Sequence, residues 1–511
     1  MTRRLTALAL ALVLALSLTG CWEAEPEPDD FWNDDLSSPS EEEPRREPAQ
    51  ISDFTLPYLS GQTFDPVTCI DGVQQTVGAL LYEPLFTLDA SFTPQPVLCE
   101  RSSCDAQALT WTFALRSAVF SDGTALTAND VLAAYRRAAE SARYGARLAN
   151  VASMKAQDAH TLIVTLTQAN GSFPALLDIP IVKAGTENDL VPLGTGPYVY
   201  TTAADGAALT VNPHWQGSSL PLERIALAAV KDNDTALSRF ASRSVHFLCL
   251  DPTGTGARTV GGAVESTDVP TAAMQYLGFN LSRTPLNDAA VRRAMSGVID
   301  RGTLVSSLLS GHGTAAQLPI APQDADYPKT YEYRTTAEEY AAALETAGVT
   351  AARPRSLTLL VNKENAFRCA VAESLCAQLT TAALTVTVRE LPWGEYAAAL
   401  EAGSFDLYLG EVRLTADWDA SALLDTGGAL NHGGFASEQL SARNDALLLG
   451  GNASAARYAE GFVEETPFAP LLFKSKTVLT PSDLVDDMTP TASDPFYGFA
   501  DWRFHLSGSE S

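Results

Sequence analysis

The stretch EVRLTADWDASALL, residues 411–424, sets two carboxylates around an indole at Asp417, Trp418 and Asp419. A carboxylate beside an aromatic face suits an ammonium group, which needs a counter-charge and tolerates a π surface. The plainer use of the same residues is a surface aspartate that begins a helix. Elsewhere the chemistry is sparse. There is no GxSxG nucleophile elbow, no HExxH and no CxxC, and Cys and His do not cluster, so no structural zinc is expected. TGTGARTVGG, residues 253–262, lacks the Lys-Ser/Thr ending of a phosphate cradle and reads as a flexible loop. GHG at 311–313 and NHGG at 431–434 each place one histidine in a loop, where it reads as solvated. Carboxylates are plentiful, but no pair is singled out for acid–base work. Neither a catalytic group nor a cofactor is expected.

The elements that would position Asp417 are legible. LTLLVN, AFRCAVAESLCAQL, LTVTVREL, WGEYAAALEAG and FDLYLG alternate strand and helix across 357–410. Such alternation predicts a mainly parallel sheet covered by helices, with ligands outside the carboxyl ends of the strands. Asp417 follows the last of these strands directly. Earlier, LERIALAAV, DNDTALSRFAS and SVHFLCL read as a second β-α-β unit, with Asp232 or Asp234 as helix cap. DFTLPYL, TVGALLYEPLF, ALTWTFAL and HTLIVTLTQ read as strands; in the third, Leu109, Trp111, Phe113 and Leu115 alternate with smaller or polar residues. Thr127 and Asp130 have capping-box spacing ahead of Val131, Leu132 and Tyr135. The expected fold class is therefore α/β, with one sheet before about residue 270, one after, and a cleft between them.

The 511 residues are 46% hydrophobic and carry a net charge of −27, an ordinary globular composition without the basic face that nucleic acid would need. The chain begins differently. Arg3 and Arg4 precede an apolar run from Leu5 to Leu18. As a helix this run is about 21 Å long, short of the roughly 30 Å hydrocarbon core, so it reads as an export signal. Leu18-Thr19-Gly20-Cys21 resembles the lipobox of bacterial lipoproteins, which implies cleavage before Cys21 and a diacylglyceryl thioether on its sulfur. The acidic, Pro-rich residues 22 to about 50 read as an extended tether. Cys99 and Cys104 could form a local disulfide or remain free thiols, and Cys69 and Cys249 could pair. Cys369 and Cys376, seven apart on an expected helix, cannot bridge each other.

Several segments together resemble the family 5 extracytoplasmic solute-binding proteins, the oligopeptide- and dipeptide-binding receptors of ABC importers. They include LLYEPLF (80–86), WTFALRSAVFSDGTALTANDVLAAY (111–135), PLGTGPYVY (192–200), YLGFNLSRTPLNDAAVRRAMSGVIDR (276–301) and FDLYLGEVRLTADWDA (405–420). The resemblance implies a two-lobed clamshell that closes on ligand. Lobe I would be 51–272 plus 476–511, with a strand-rich insert at about 80–190, and lobe II would be 273–475. In peptide-binding members the aspartate of an Ala-Asp-Tyr pattern pairs with the ligand's α-amino group. The pattern stands here as Ala416-Asp417-Trp418, preceded by Arg413 and Leu414 where an aromatic is often found. Tyr58, Ser60 and Gly61 match a segment that offers backbone hydrogen bonds to an extended ligand, and Trp393, Asn431 and His432 are weaker candidates from neighbouring loops. The implied partners are a short peptide, the permease and ATPase subunits, and a membrane reached through the lipid on Cys21, with the receptor itself a monomer. The alternatives are the same scaffold binding a metal chelate, sugar or opine, or a peptide sensor that feeds no transporter.

Overall fold

A computed structural model of the protein describes residues 51–204, 206–255 and 261–507. The export signal (1–20), the lipid site Cys21, the tether to residue 50 and the middle of the glycine-rich loop (256–260) lie outside the described residues.

The first part of the chain runs β1 (Thr55–Leu59), α1 (Gly72–Gly78), β2 (Phe86–Leu88), β3 (Pro94–Pro96), β4 (Cys99–Cys104) and β5 (Thr110–Leu115). Next come α2 (Ala128–Ala139), β6 (Val151–Asp158), β7 (Thr161–Leu166), β8 (Tyr198–Ala203), β9 (Gly206–Val211) and β10 (Arg224–Val230). Then follow α3 (Asn233–Ala241), β11 (Leu248–Leu250) and the long β12 (Val264–Phe279). The rest runs α4 (Ala289–Val298), β13 (Gly313–Ala315), α5 (Ala337–Thr346), β14 (Arg355–Asn362), α6 (Ala366–Leu379) and β15 (Leu384–Leu391). It continues through α7 (Trp393–Glu401), β16 (Leu407–Arg413), α8 (Glu438–Leu447), α9 (Asn452–Glu465) and the long β17 (Phe468–Pro481).

Three sheets carry most of these strands. One has the order β1-β10-β9-β8, with β1 and β10 parallel. The strand-rich section forms an antiparallel sheet, β4-β5-β7-β6. The largest has the order β11-β17-β12-β16-β14-β15, with β13 also on β17. Within it β14 is parallel to both β15 and β16, as the alternating segments predict, but β11, β12 and β13 join it through antiparallel pairs with β16 and β17, so the sheet is mixed and not mainly parallel as expected. The α2 start also agrees: Asp130 accepts from the Thr127 N–H at 2.9 Å and from its hydroxyl at 2.6 Å. Asp232 caps α3, accepting from the Thr235 N–H at 2.8 Å.

Some expectations fail for identifiable reasons. TVGALLYEPLF does not open as a strand. Asp71 accepts from the N–H groups of Val73 and Gln74 and starts α1 instead, and extended backbone returns only at Phe86. The earlier β-α-β unit divides between sheets, because β11 leaves β10 and pairs antiparallel with β17. Cys99 and Cys104 lie at opposite ends of β4, about 17 Å apart by strand rise, too far for a disulfide. All six cysteines within the described residues are free, Cys69 and Cys249 included.

The strands β12 and β17 pair along their length, but the register breaks between Pro270 and Met274. Thr271 fills the break: its hydroxyl donates to the Lys474 carbonyl at 2.7 Å and accepts from the Ala273 N–H at 3.1 Å. On one side of the break, Val269 and Val478 pack with Phe54, Leu56 and Phe247. On the other, Met274, Tyr276, Phe468 and Phe473 pack with Tyr408 and Trp418. Two apolar cores thus share one pair of strands, and the strand-rich section keeps a third core around Trp111, Phe113 and Tyr135.

Candidate functional site

A cavity of about 1310 Å³ opens where these parts meet. Its wall takes Arg143 and Arg147 from the turn after α2, Cys249 from β11, Arg413 from the carboxyl end of β16, Lys476 from β17 and Asp494 from the C-terminal segment. Local sequence explains the turn. The Ser141 hydroxyl accepts from the Tyr144 N–H at 3.1 Å and donates to the Ala138 carbonyl at 2.8 Å, ending the helix. The guanidiniums of Arg143 and Arg147 then lie 4.9 and 5.1 Å from the centre of the buried Tyr144 ring, a cation–π arrangement that orients both.

The charges on this wall are unevenly partnered. Arg137 binds Asp65 through two nitrogens, at 2.6 and 3.2 Å, and Arg147 binds Asp178. Burial nevertheless holds the Asp178 carboxyl above its usual range, against the pull of Arg147. Lys474, 4% exposed, holds Asp251 at 2.5 Å and Glu411 at 3.8 Å, and so ties the end of β11 to β16 at the register break. The side chains of Arg143, Arg413 and Lys476 make no hydrogen bond or ion pair among the described residues. Burial pushes the Lys476 ammonium down; the Cys249 side chain offsets this, and Arg413 and Arg143 add to it. Arg413 is exposed and lines the cavity; the protein around it, then Arg147, lower its affinity for a proton. Burial raises the Asp494 carboxyl to about 6.

The ligand-binding residues expected from the sequence, Tyr58, Ser60, Gly61, Trp393, Asp417, Trp418, Asn431 and His432, are not on this wall. Asp417 is buried, four residues beyond Arg413. Its Oδ1 accepts from the Thr415 hydroxyl at 2.6 Å, and its Oδ2 accepts from Asn170 Nδ2 at 2.8 Å. Asn170 belongs to the strand-rich section, so this bond joins that section to the segment after β16. The contact continues at Leu448, whose carbonyl accepts from the N–H groups of Gly171 and Ser172 at 2.9 and 3.2 Å. Burial raises the Asp417 carboxyl.

Trp418 is also buried and has φ +60, a left-handed conformation costing a residue of this size about 1–3 kcal/mol. Its Nε1 donates to Asp324 at 2.8 Å, and its ring meets Phe92 at 5.0 Å and Phe473 at 5.8 Å, which hold it there. Tyr58 lies on β1 against Tyr200, and Ser60 and Gly61 form the exposed turn after it. Trp393, 59% exposed, stacks on Tyr396. Asn431 donates to the carbonyls of Asp425 and Phe435 and accepts from the Phe435 N–H, closing its own loop. His432 packs on Tyr408, and burial lowers its pKa. Thus Asp417 adjoins Trp418, Asn431 adjoins His432, and the cationic wall is a separate feature. Arg413 drew notice in the sequence only as a departure from the familiar pattern. Arg143, Arg147 and Lys476 carried no local signal, because nothing but the fold brings them together.

Comparison with known proteins gives a consistent set of relatives. The description of bacterial extracellular solute-binding proteins, family 5 (middle), matches residues 93–433. The glutathione-binding protein GsiB of Escherichia coli O1:K1 is 29% identical over 287 residues, covering 53% of this chain and 56% of its own. The match thus spans little more than half the length of that curated relative. Among solved structures, the nickel ABC transporter protein of Bacillus halodurans superposes with a TM-score of 0.70 at 21% identity, covering 90% of this chain and 99% of its own. The oligopeptide-binding protein AppA of Bacillus subtilis, in complex with a nonapeptide, gives 0.61 at 19% identity, covering 90% and 100%.

Proposed function

The chain belongs to the family 5 bacterial extracellular solute-binding proteins, and from that premise we propose that it is the receptor of an ABC importer, capturing short peptides and delivering them to a permease. The observation that carries this reading is the large cavity beside a pair of strands shared by two separately cored bodies. The register break at Pro270–Met274, opposite Phe473–Ser475, is the proposed hinge. The bodies on either side of it are the proposed lobes, 51–272 with 476–511 and 273–475. Closure follows from a ligand that binds the closed form better than the open one. The proposed chemistry is binding alone, with no covalent step.

Asp417 is the proposed anchor for the peptide's ammonium group. Its Oδ2 is occupied by the amide of Asn170, from the facing part of the chain. When the bodies separate that oxygen is released, and a ligand ammonium replaces a neutral donor with a charged one. No helix among the described residues is long and apolar enough to cross a membrane. Attachment to the outer face of the cytoplasmic membrane is, in this reading, through lipid on Cys21. The lipobox order of charged, apolar and small residues supports this, and mass spectrometry of the membrane-extracted protein tests it. Calorimetric titration with pools of short peptides tests the function. We expect binding by wild type and about tenfold or greater weakening in Asp417→Asn. Equal affinity in the two proteins would remove the ammonium anchor. Relatives on this scaffold named for glutathione, nickel and oligopeptide show why the solute itself must be measured.

A further inference from the structure

The cavity wall runs against the composition of the chain. Whereas the whole sequence holds 61 acids to 34 bases, the described wall holds five bases, Arg137, Arg143, Arg147, Arg413 and Lys476, to four acids. Of the acids, Asp178 is bound by Arg147 and Asp251 by Lys474. Glu140 and Asp494 remain, the latter accepting from the Phe496 N–H at 2.9 Å. Neither is among the groups that act most strongly on Arg413 or Lys476; those are Arg143, Arg147, Cys249, Glu411 and Asp251. The two carboxylates in that set are already held by Lys474. Three cations from the turn after α2, from β16 and from β17 therefore converge on one space without a counter-ion of their own. Like charges brought together in a partly desolvated place oppose folding, and a protein retains such an arrangement where function uses it.

We propose that this cavity selects acidic solutes bearing two or more oxyanion groups, carboxylate or phosphate, held by Arg143, Arg413 and Lys476. This rests on the receptor reading above and narrows its solute class. Guanidinium forks take a planar oxyanion through two parallel hydrogen bonds, and the ammonium acts as a compact point charge. Tyr144 is a positioning residue for Arg143. Asp417 lies within about 14 Å of Arg413 along the chain, so one short acidic peptide can reach both.

The test is calorimetric titration of the folded receptor with tri-glutamate, tri-alanine and tri-lysine, and with citrate and pyrophosphate as non-peptide arms. We expect tri-glutamate to bind at least about tenfold more tightly than tri-alanine, and this preference to shrink as salt rises. Arg413→Gln and Lys476→Gln should each cost about tenfold or more for anionic solutes, while Arg413→Lys, which keeps the charge and loses the fork, should cost less than Arg413→Gln. Thermal unfolding of each variant confirms its folding, and Lys476→Gln should unfold no lower than wild type because it removes an unpaired, partly buried charge. Tri-alanine or tri-lysine binding as well as tri-glutamate would overturn the charge assignment and leave the receptor reading standing, as would unchanged tri-glutamate affinity in both Gln variants. Citrate or pyrophosphate binding without tri-glutamate would uphold the oxyanion class and sink the peptide reading. No binding in any arm would overturn both.

Discussion

Glu83 lies in the link between α1 and β2, and burial pushes its carboxyl from 4.5 to about 7. The folded state therefore favours the protonated form more than the unfolded chain does. Any stability this group lends is fully present below about pH 4.5 and is lost as pH rises to about 7. Chemical denaturation should thus find Glu83→Gln and wild type equally stable at pH 4 and the variant more stable at pH 8. Parallel stability profiles for the two proteins across that range would contradict the burial argument. Local sequence reads such single sites unevenly. The ADWDA stretch marks itself, because a carboxylate next to an indole is unusual, yet nothing in it shows that Asn170, 247 positions away, occupies the carboxylate. Lys476 looks like any strand lysine until β17 carries it beside Arg413 and Arg143. Residues whose meaning depends on one neighbour were legible, and those that depend on three distant ones were not.

At the level of elements, the contact between the strand-rich section and the end of α8 is set by a glycine. A Cβ on Gly171 would stand 2.6 Å from the Leu449 carbonyl oxygen, inside contact distance of rigid backbone. Gly171→Val should therefore oppose this contact by about 1–3 kcal/mol. The ligand-free protein should then show a larger radius of gyration by solution scattering, with the melting of each sheet unchanged. An unaltered scattering curve would mean that the contact does not hold the bodies together. Similar close approach explains the GTGPY segment: a Cβ on Gly194 would meet the Leu81 carbonyl oxygen at 2.1 Å, while the Gly196 N–H donates to that oxygen at 3.0 Å. That signature and LLYEPLF are two sides of one packing contact. The arginines of VRRAMSGVIDR are likewise architectural, since Arg292 and Arg301 bind the carbonyls of Thr466 and Pro470, both at 2.8 Å. Elements with strong periodicity and full length, β14 to β16, were readable from sequence. The three-residue β11 was legible as a strand but its partner was not, because tertiary pairing chooses it, and α1 was missed because its Asp71 cap outweighs the apolar run after it.

At the scale of the molecule, a chain with a net charge of −27 lines this cavity with three cations that have no counter-ion of their own. Electrostatic attraction through an anionic exterior is weak at physiological salt, where charges are screened beyond about 8 Å. Selection must then occur at the cavity wall, where the three cations meet the solute at close range. Two bodies on shared strands give that selection a mechanical consequence, since a solute touching both Arg143 and Arg413 ties the turn after α2 to the end of β16. Hydrogen–deuterium exchange with and without saturating tri-glutamate reads this most directly. We expect slower exchange together in residues 141–148, 248–255, 411–414 and 474–477, which are distant in sequence and meet at the cavity, with β14 and β15 unchanged. Protection confined to other segments, or none at a concentration that saturates the calorimetric signal, would contradict the placement of the solute in this cavity.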